Sequence, residues 1–403
     1  MSEAVFDRLR TLLGPEGVER GPHGLPRAVP ESDDALALVC QAAQQEGWRL
    51  RVEGRASWLA PDAPADFALS TRGIDRMVRV SPDDLIATVQ AGMQLDVLRA
   101  ALQTHRLWLA LDPPGRPDRT IGSVVATGTA GPLRQGYGPV RDHVLGCTVA
   151  TADGRLVDAG GRVVKNVAGY DLTKLHVGGF GGFGVITELH LRLRAQPATD
   201  LTLVVRGGRH ALSGAGYRAV LAQIGFASLE LLSPALAALP EWILAARLVG
   251  TADGVETEAT RLQSESGVGW ERLSPERALA FWSLVARAPL GGAVSIRLGA
   301  LLDGIDDATD LVAELLDDGL VSAGLGSGMI RWAGDASTDA LRALRRRAAE
   351  REVPVTLERA PWATRRAVGH FGAYREGVGQ LVGRLRETFD PKGLIAVALE
   401  GSA

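Results

Sequence analysis

The placement of glycine constrains this chain more than any other feature of its sequence. Sixteen of the 49 glycines fall between Gly115 and Gly184, and the other 33 are spread over 333 residues. A residue without Cβ can take φ > 0 and lets backbone lie close to a ligand. Between Thr120 and Arg194 short alternating runs are separated by glycine turns. They close on Val185–Leu193, where Leu189, Leu191 and Leu193 alternate with Glu188, His190 and Arg192. This pattern predicts a β-rich segment with occasional helices.

The flanking sequence supplies ordinary elements. Ser32 precedes a helix predicted over Ala35–Glu46, with Leu36, Val39, Cys40 and Ala43 as its apolar stripe and Gly47 as its stop. Residues 1–20 read as a short helix, Trp48–Val52 and Arg76–Val80 as strands, and Leu85–Gln90 as a strand with a helix after the Ala91-Gly92 turn. Beyond Gln196-Pro197-Ala198 glycine density drops. Strands at Leu201–Val205, Ile243–Val249, Val294–Leu298 and Gly328–Trp332 then alternate with helices at Leu212–Gln223, Val255–Ser264, Ala308–Leu316 and Thr338–Arg351. That is the pattern of an α+β unit with an antiparallel sheet. A last helix over Val378–Phe389 is expected to bury Leu381, Val382, Leu385 and Phe389. The expected division is 1–197, 198–375 and a returning tail, 376–403.

Composition excludes several functions. With 403 residues, 46% of them hydrophobic, the chain can bury a large core. Its 44 basic and 47 acidic residues leave a net charge of −3, without the basic excess of a nucleic-acid binder. No apolar run approaches the roughly 20 residues of a membrane span, and the first residues lack a signal-peptide pattern, so a cytoplasmic location is expected. Cys40 and Cys147 are too few for an iron–sulfur cluster or a four-cysteine zinc site, which points redox chemistry to an organic cofactor. The seven histidines show no metal-ligand spacing, and no metal site is expected. Arginines outnumber lysines 41 to 3, yet Lys165 and Lys174 both fall in the glycine-rich window.

Gly179-Phe180-Gly181-Gly182-Phe183-Gly184 has the form G-x-G-x-x-G, but the segment after it alternates as a strand and the region around position 204 reads Leu203-Val204-Val205-Arg206. A dinucleotide fingerprint needs a helix there and an acid about 20 residues on. Neither a Walker loop nor G-x-S-x-G occurs. What remains is a series in fixed order: Thr120-Ile121-Gly122-Ser123-Val124-Val125-Ala126-Thr127-Gly128-Thr129-Ala130-Gly131-Pro132, then Val140-Arg141-Asp142, then Lys165-Asn166-Val167-Ala168-Gly169-Tyr170-Asp171, then Gly184-Val185-Ile186-Thr187. Small residues in the first run leave backbone N–H groups open to an anion such as a diphosphate.

On these motifs residues 30–197 resemble the FAD-binding domain of the vanillyl-alcohol oxidase/PCMH flavoproteins, and within them the smaller FAD-binding subunit of bacterial glycolate oxidase. The resemblance implies two α+β subdomains holding non-covalent FAD, followed by an α+β cap with an antiparallel sheet. It implies cofactor contacts from Gly54, Arg55, Ala56 and Ser57, from Pro114, Thr120, Ile121, Gly122, Ser123, Thr127, Gly128 and Gly131, from Arg141, Asp142 and Lys165, and from Gly184, Val185, Ile186 and Thr187. Three departures stand out: Glu53 and Arg55 in the first phosphate loop, Gly179 and Gly182 where hydroxyl residues are common, and Phe389-Asp390-Pro391-Lys392-Gly393 in place of F-N-P-G-R.

The implied activity is oxidation of a small 2-hydroxy acid, the flavin accepting a hydride equivalent, with Lys165 or Arg141 as a cation near it. The implied partners are a homologous catalytic flavoprotein and an iron–sulfur subunit, in a complex peripheral to the inner membrane. The H-x-H-x-G-D motif of the related catalytic subunits is absent, so no general base is assigned. A non-catalytic structural or assembly subunit with weak or lost FAD binding is the competing reading.

Overall fold

The computed structural model describes residues 2–21, 24–59, 62–162, 171–237, 240–316, 319–372 and 376–395. The first sheet has four strands in the order Val18–Arg20, Pro26–Ala28, Phe67–Ser70, Leu50–Glu53, and its last two pairings are parallel. The helix Asp33–Glu46 belongs to the same layer. Ser32 Oγ accepts from Ala35 N at 3.2 Å, and Gly47, at φ 72°, closes the helix. Leu36, Val39, Cys40 and Ala43 face inward as the stripe predicts, onto Phe67 and Leu69.

The second sheet is antiparallel, in the order Met77–Ser81, Ile86–Gln90, Val185–Arg192, Val144–Ala150, Leu156–Gly160. Helix Leu95–Gln103 packs into its core through Leu95, Leu98 and Leu102. The expectation of strands from Thr120 onward is corrected here, because Ile121–Thr127 is a helix. Thr120 Oγ1 accepts from Ser123 N at 3.3 Å and Gly128 turns left-handed at φ 59°, so a start and a stop signal bracket this small-residue run.

The third sheet has eight antiparallel strands in the order Glu271–Arg272, Thr199–Gly207, Trp242–Gly250, Ser228–Leu232, Leu320–Gly324, Met329–Gly334, Val294–Gly299, Val355–Arg359. Ser228–Leu232, Leu320–Gly324, Val355–Arg359 and the helix Pro275–Arg287 have no counterpart in the sequence reading. Strand residues alternate between faces. Leu229, Leu231, Ala323, Ile330 and Trp332 form one core with the helices Arg209–Leu221, Ala252–Ser266, Ile305–Leu315 and Thr338–Ala349.

The opposite face carries an apolar cluster around Val204, Leu232, Ile243 and Ala245 and, beside it, a polar row. In register, Leu232 meets Ser322, Ser322 meets Arg331, and Arg331 meets Arg297, with Glu230 two residues from Leu232 on the same side. Two arginines directly opposite would repel. Glu358 relieves this, lying 2.7 Å from Arg331 Nε and 3.6 Å from Arg297 Nε. This row is turned toward the N-terminal half, where Arg331 Nη2 donates to Ala130 O at 3.1 Å and Arg297 Nη1 to Gly128 O at 3.5 Å.

The last helix spans Val378–Phe389 as predicted, but it lies on the surface and buries none of its residues fully. Leu381 is 58% exposed, contrary to expectation, while Phe389 meets Phe183 and His176 edge-on at 6.1 and 6.4 Å. Asp390 then accepts from the N–H groups of Leu394 and Ile395, and Leu394 O accepts from Leu50 N at 3.0 Å. The tail is thereby drawn back to the first sheet.

Candidate cofactor cleft

A cleft runs between the first two sheets. Its floor includes Gly122, Ser123, Ala126 and Thr127 of the capped helix, one wall is Leu50–Leu59, and Phe180, Gly181, Gly184 and Ile186 form the other. Arg365 and Ile395 reach it from later in the chain.

The loop after Glu53 carries a clear chemical signal. The backbone N–H groups of Arg55, Ala56, Ser57 and Trp58 donate to no acceptor among the described residues. Ala56 sits at φ 52°, in the left-handed region, where a β-carbon costs about 1–2 kcal/mol. The indole Nε1 of Trp58 is buried and has no partner among the described residues. Buried polar groups are normally paired. Successive free N–H groups and an unpaired indole N–H lining one cleft therefore suit an anionic ligand with further acceptors.

Glu53 does not place an isolated negative charge there. Arg27 Nε lies 2.5 Å from Glu53 Oε1, and Arg51 Nη2 lies 3.4 Å from Oε2. The guanidinium of Arg119 is wholly buried behind the cleft. It donates to Pro114 O at 2.7 Å, Ser123 Oγ at 3.0 Å, Thr127 Oγ1 at 2.6 Å and Thr129 Oγ1 at 3.2 Å, and it stacks 4.5 Å from the Trp58 ring centroid. Burial lowers its pKa to about 9, so it remains a cation at neutral pH.

Nine residues named from the sequence line this cleft: Gly54, Arg55, Ala56, Ser57, Gly122, Ser123, Thr127, Gly184 and Ile186. Others are placed elsewhere. Thr120 caps the helix and packs against Gly54, while Ile121 and Val185 are core residues. Thr187 is fully buried, its hydroxyl 3.3 Å from Thr148 O. Gly128 is the helix stop. Pro114 and Gly131 line a separate cavity. Arg141 and Asp142 form an exposed pair at 3.6 Å, because the short 3-10 turn Val140–His143 points them to solvent. Lys165 lies outside the described residues.

Trp58, Arg119, Phe180, Gly181 and Arg365 are not among the cofactor contacts expected from the sequence. Phe180, at φ 52°, and Gly181, at φ 75°, belong to the G-x-G-x-x-G run set aside with the dinucleotide fingerprint. Among the described residues no cluster could hold a metal ion and no helix is long and apolar enough to cross a membrane. Both cysteine thiols are buried, which pushes them up to about 12 and leaves them protonated.

Residues 27–160 match a family model described as an FAD binding domain. Glycolate oxidase subunit GlcE of Escherichia coli K12 is 41% identical over 133 residues, covering 33% of this chain and 37% of that protein. Glycolate oxidase subunit GlcD of Bacillus subtilis is 36% identical over 139 residues, 34% of this chain and 29% of that one. D-lactate dehydrogenase of Archaeoglobus fulgidus is 30% identical over 203 residues, 49% and 44%. The match thus spans less than half the length of each of these relatives.

Among solved structures, 4-ethylphenol oxidase from Gulosibacter chungangensis superposes with a TM-score of 0.75 at 14% identity, covering 99% of this chain and 97% of that one. An alkyldihydroxyacetonephosphate synthase gives 0.73 at 14% identity, covering 98% and 84%. The family match falls on the two sheets that form the cleft, and the structural match extends through the eight-stranded sheet. The chain shares its fold with these two enzymes, and its residues 27–160 carry an FAD binding domain related to that of glycolate-oxidase-type subunits.

Proposed function

We propose that the cleft holds FAD non-covalently and that the chain is the FAD-binding subunit of a glycolate oxidase-like 2-hydroxy-acid oxidoreductase. The observation that carries this reading is the run of unpartnered N–H groups over Arg55–Trp58 beside the small-residue floor at Gly122 and Ser123. When bound, the flavin supplies the two-electron acceptor. The chain's own residues bind and orient it. The Arg55–Trp58 loop meets the diphosphate, Arg55 adds positive charge, and Gly181 and Gly184 let backbone approach closely. Trp58, held against Arg119, and Phe180 keep one end dry. Gly128 and Gly131 shape the turn behind the floor, Thr187 supports the strand beneath it, and Lys165 completes the proposed contact set. We place the division between the two functional halves at Gln196-Pro197-Ala198.

The partners in this reading are a homologous catalytic flavoprotein and an iron–sulfur subunit, and the complex is cytoplasmic. A second reading, a non-catalytic subunit with weak or lost FAD binding, is favoured by one observation: among the described residues that line the cleft there is no histidine, and the carboxylate there, Glu53, is committed to Arg27 and Arg51. Absorbance separates the two. Bleaching of a bound flavin band by glycolate or D-lactate, alone or with a partner subunit, supports the first reading, whereas a colourless chain that takes up no added FAD supports the second.

A further inference from the structure

The cleft is chemically suited to the cofactor proposed above but too narrow for it as it stands. The room inside it is about 110 Å³. A drug-sized ligand occupies a pocket of about 300–1,000 Å³, and FAD is larger than such a ligand. One wall must therefore give way before the cofactor enters. Two of the lining residues, Arg365 and Ile395, come from late in the chain.

They are fastened differently. Ile395 is buried in the core of the first sheet, and its N–H and that of Leu394 are held by the carboxylate of Asp390. Arg365 is carried on the short helix Trp362–Val368. The C-terminal end of that helix is anchored on the helix Thr338–Ala349, where Arg345 donates to Val368 O, to Gly369 O at 2.8 Å and to His370 O at 2.9 Å.

The other end reaches over to the cofactor loop. Pro361, at the N-cap, offers no side-chain acceptor to the N–H groups of the first turn. Asp62 takes that place from 300 residues earlier: its Oδ2 accepts from Trp362 N at 2.5 Å, and its Oδ1 accepts from Arg365 Nη2 at 3.2 Å. The Asp62 side chain is 42% exposed, so water can replace both contacts, whereas Arg365 is 2% exposed and lines the cleft with Trp58, Leu59 and Ala63. Ion pairs that water can reach hold weakly. The loop side is held independently, because Arg51 Nη1 donates to Ala63 O at 3.1 Å.

We infer that the helix Trp362–Val368 is a latch on the cofactor cleft, closed by Asp62, and that it opens to admit FAD. Loss of the Asp62 contacts frees the N-terminal end of the helix to swing about its Arg345-held end, where Gly369 sits at φ 85°, and withdraws Arg365 from the cleft. The identity of the ligand rests on the function proposed above; the latch does not. When the binding-competent state is a minor one, apparent affinity is reduced by the fraction that is open. Weakening the closed state therefore speeds and tightens binding. A residue that merely supports the bound cofactor would act with the opposite sign.

The test is Asp62→Ala in the full chain, read by stopped-flow flavin fluorescence on mixing with FAD and by amide hydrogen exchange of the cofactor-free chain. The association rate constant should rise about three- to tenfold, with the apparent Kd falling by a similar factor. Exchange should quicken over residues 362–366 and stay unchanged in the eight-stranded sheet. Asp62→Asn, which keeps an acceptor for Trp362 N but not the charge, should fall between variant and parent. Association no faster than the parent's, or weaker FAD binding, overturns the inference, and so does unchanged exchange over residues 362–366. If neither chain takes up FAD, the cofactor reading falls, and quickened exchange would leave the latch standing.

Discussion

The guanidinium of Arg119 lies 4.5 Å from the centroid of the Trp58 ring, and both side chains are buried. Trp58 lines the cleft, and Arg119 ties it to the turn behind through Pro114, Ser123, Thr127 and Thr129. One cation therefore fixes both the Arg55–Trp58 wall and the floor of the cleft. Arg119→Leu removes the donor to four acceptors at once. Each unsatisfied buried polar group costs about 1–3 kcal/mol, some of it recovered by relaxation, so a net loss of roughly 2–4 kcal/mol is expected. Chemical denaturation would measure it, and a change below about 0.5 kcal/mol would contradict the structural role, being no more than a typical surface substitution gives.

Gly184 has φ 135°, and a Cβ there would lie 2.5 Å from Val149 Cγ1 and 2.9 Å from Ala150 O. Gly181 has φ 75° but open space around it. Gly184→Ala should therefore destabilise by about 1–3 kcal/mol through overpacking as well as backbone strain. Gly181→Ala should cost only the strain, about 1 kcal/mol. Thermal melts of the pair should keep this order.

Arg331→Met leaves Glu358 buried with Arg297 alone, and it frees Ala130 O. Breaking a buried pair from one side costs about 3–5 kcal/mol, here reduced by the second arginine to roughly 2–3. Burial alone would raise the Glu358 pKa, but Arg331 and Arg297 bring it below the usual value. The stability from this pairing is present above the unfolded pKa and is lost as pH falls through the depressed folded one. The penalty of Arg331→Met, measured by urea denaturation, should accordingly shrink in acid.

Burial raises Glu230 to about 7 and lowers His143 and His176 to about 4. The signs oppose. Glu230 contributes stability that is fully present below its unfolded pKa, near 4.5, and lost as pH rises through 7. Each histidine favours unfolding as pH falls from about 6.5 toward 4, because only the unfolded ring binds the proton freely. Glu230→Gln lacks the ionisation penalty, so its stability relative to the parent should be about 2–3 kcal/mol greater at pH 8 than at pH 4.5. Denaturant midpoints across that range would check it. A difference independent of pH would show that Glu230 titrates normally.

Much of the fold was legible because periodicity and caps agree. Ser32 and Gly47 bracket one helix, and Val378–Phe389 was read to the residue. The burial of that last helix was not legible: its apolar stripe is real, but it lies across the surface. Ile121–Thr127 was missed because its small residues carry no stripe, although Thr120 and Gly128 mark both ends.

The glycine excess pointed to the right region for a mixed reason. Gly122 packs on Ala91, whose Cβ and O would both lie 2.7 Å from an added Cβ, and Gly54 on Thr120 and Gly131 on Asp112 are likewise close approaches within the protein. Only some, such as Gly181, open onto the cleft. Arg119, Glu230 and Arg331 could not be found from spacing, since each matters through partners brought together by packing.

The most direct test of the account is equilibrium titration of the purified full chain with FAD, followed by flavin absorbance and tryptophan fluorescence. The account predicts saturable one-to-one binding with quenching of Trp58, reduced in Trp58→Phe, and weaker binding in Gly122→Val. A protein that takes up no FAD, or takes it up equally well in Gly122→Val, would contradict it.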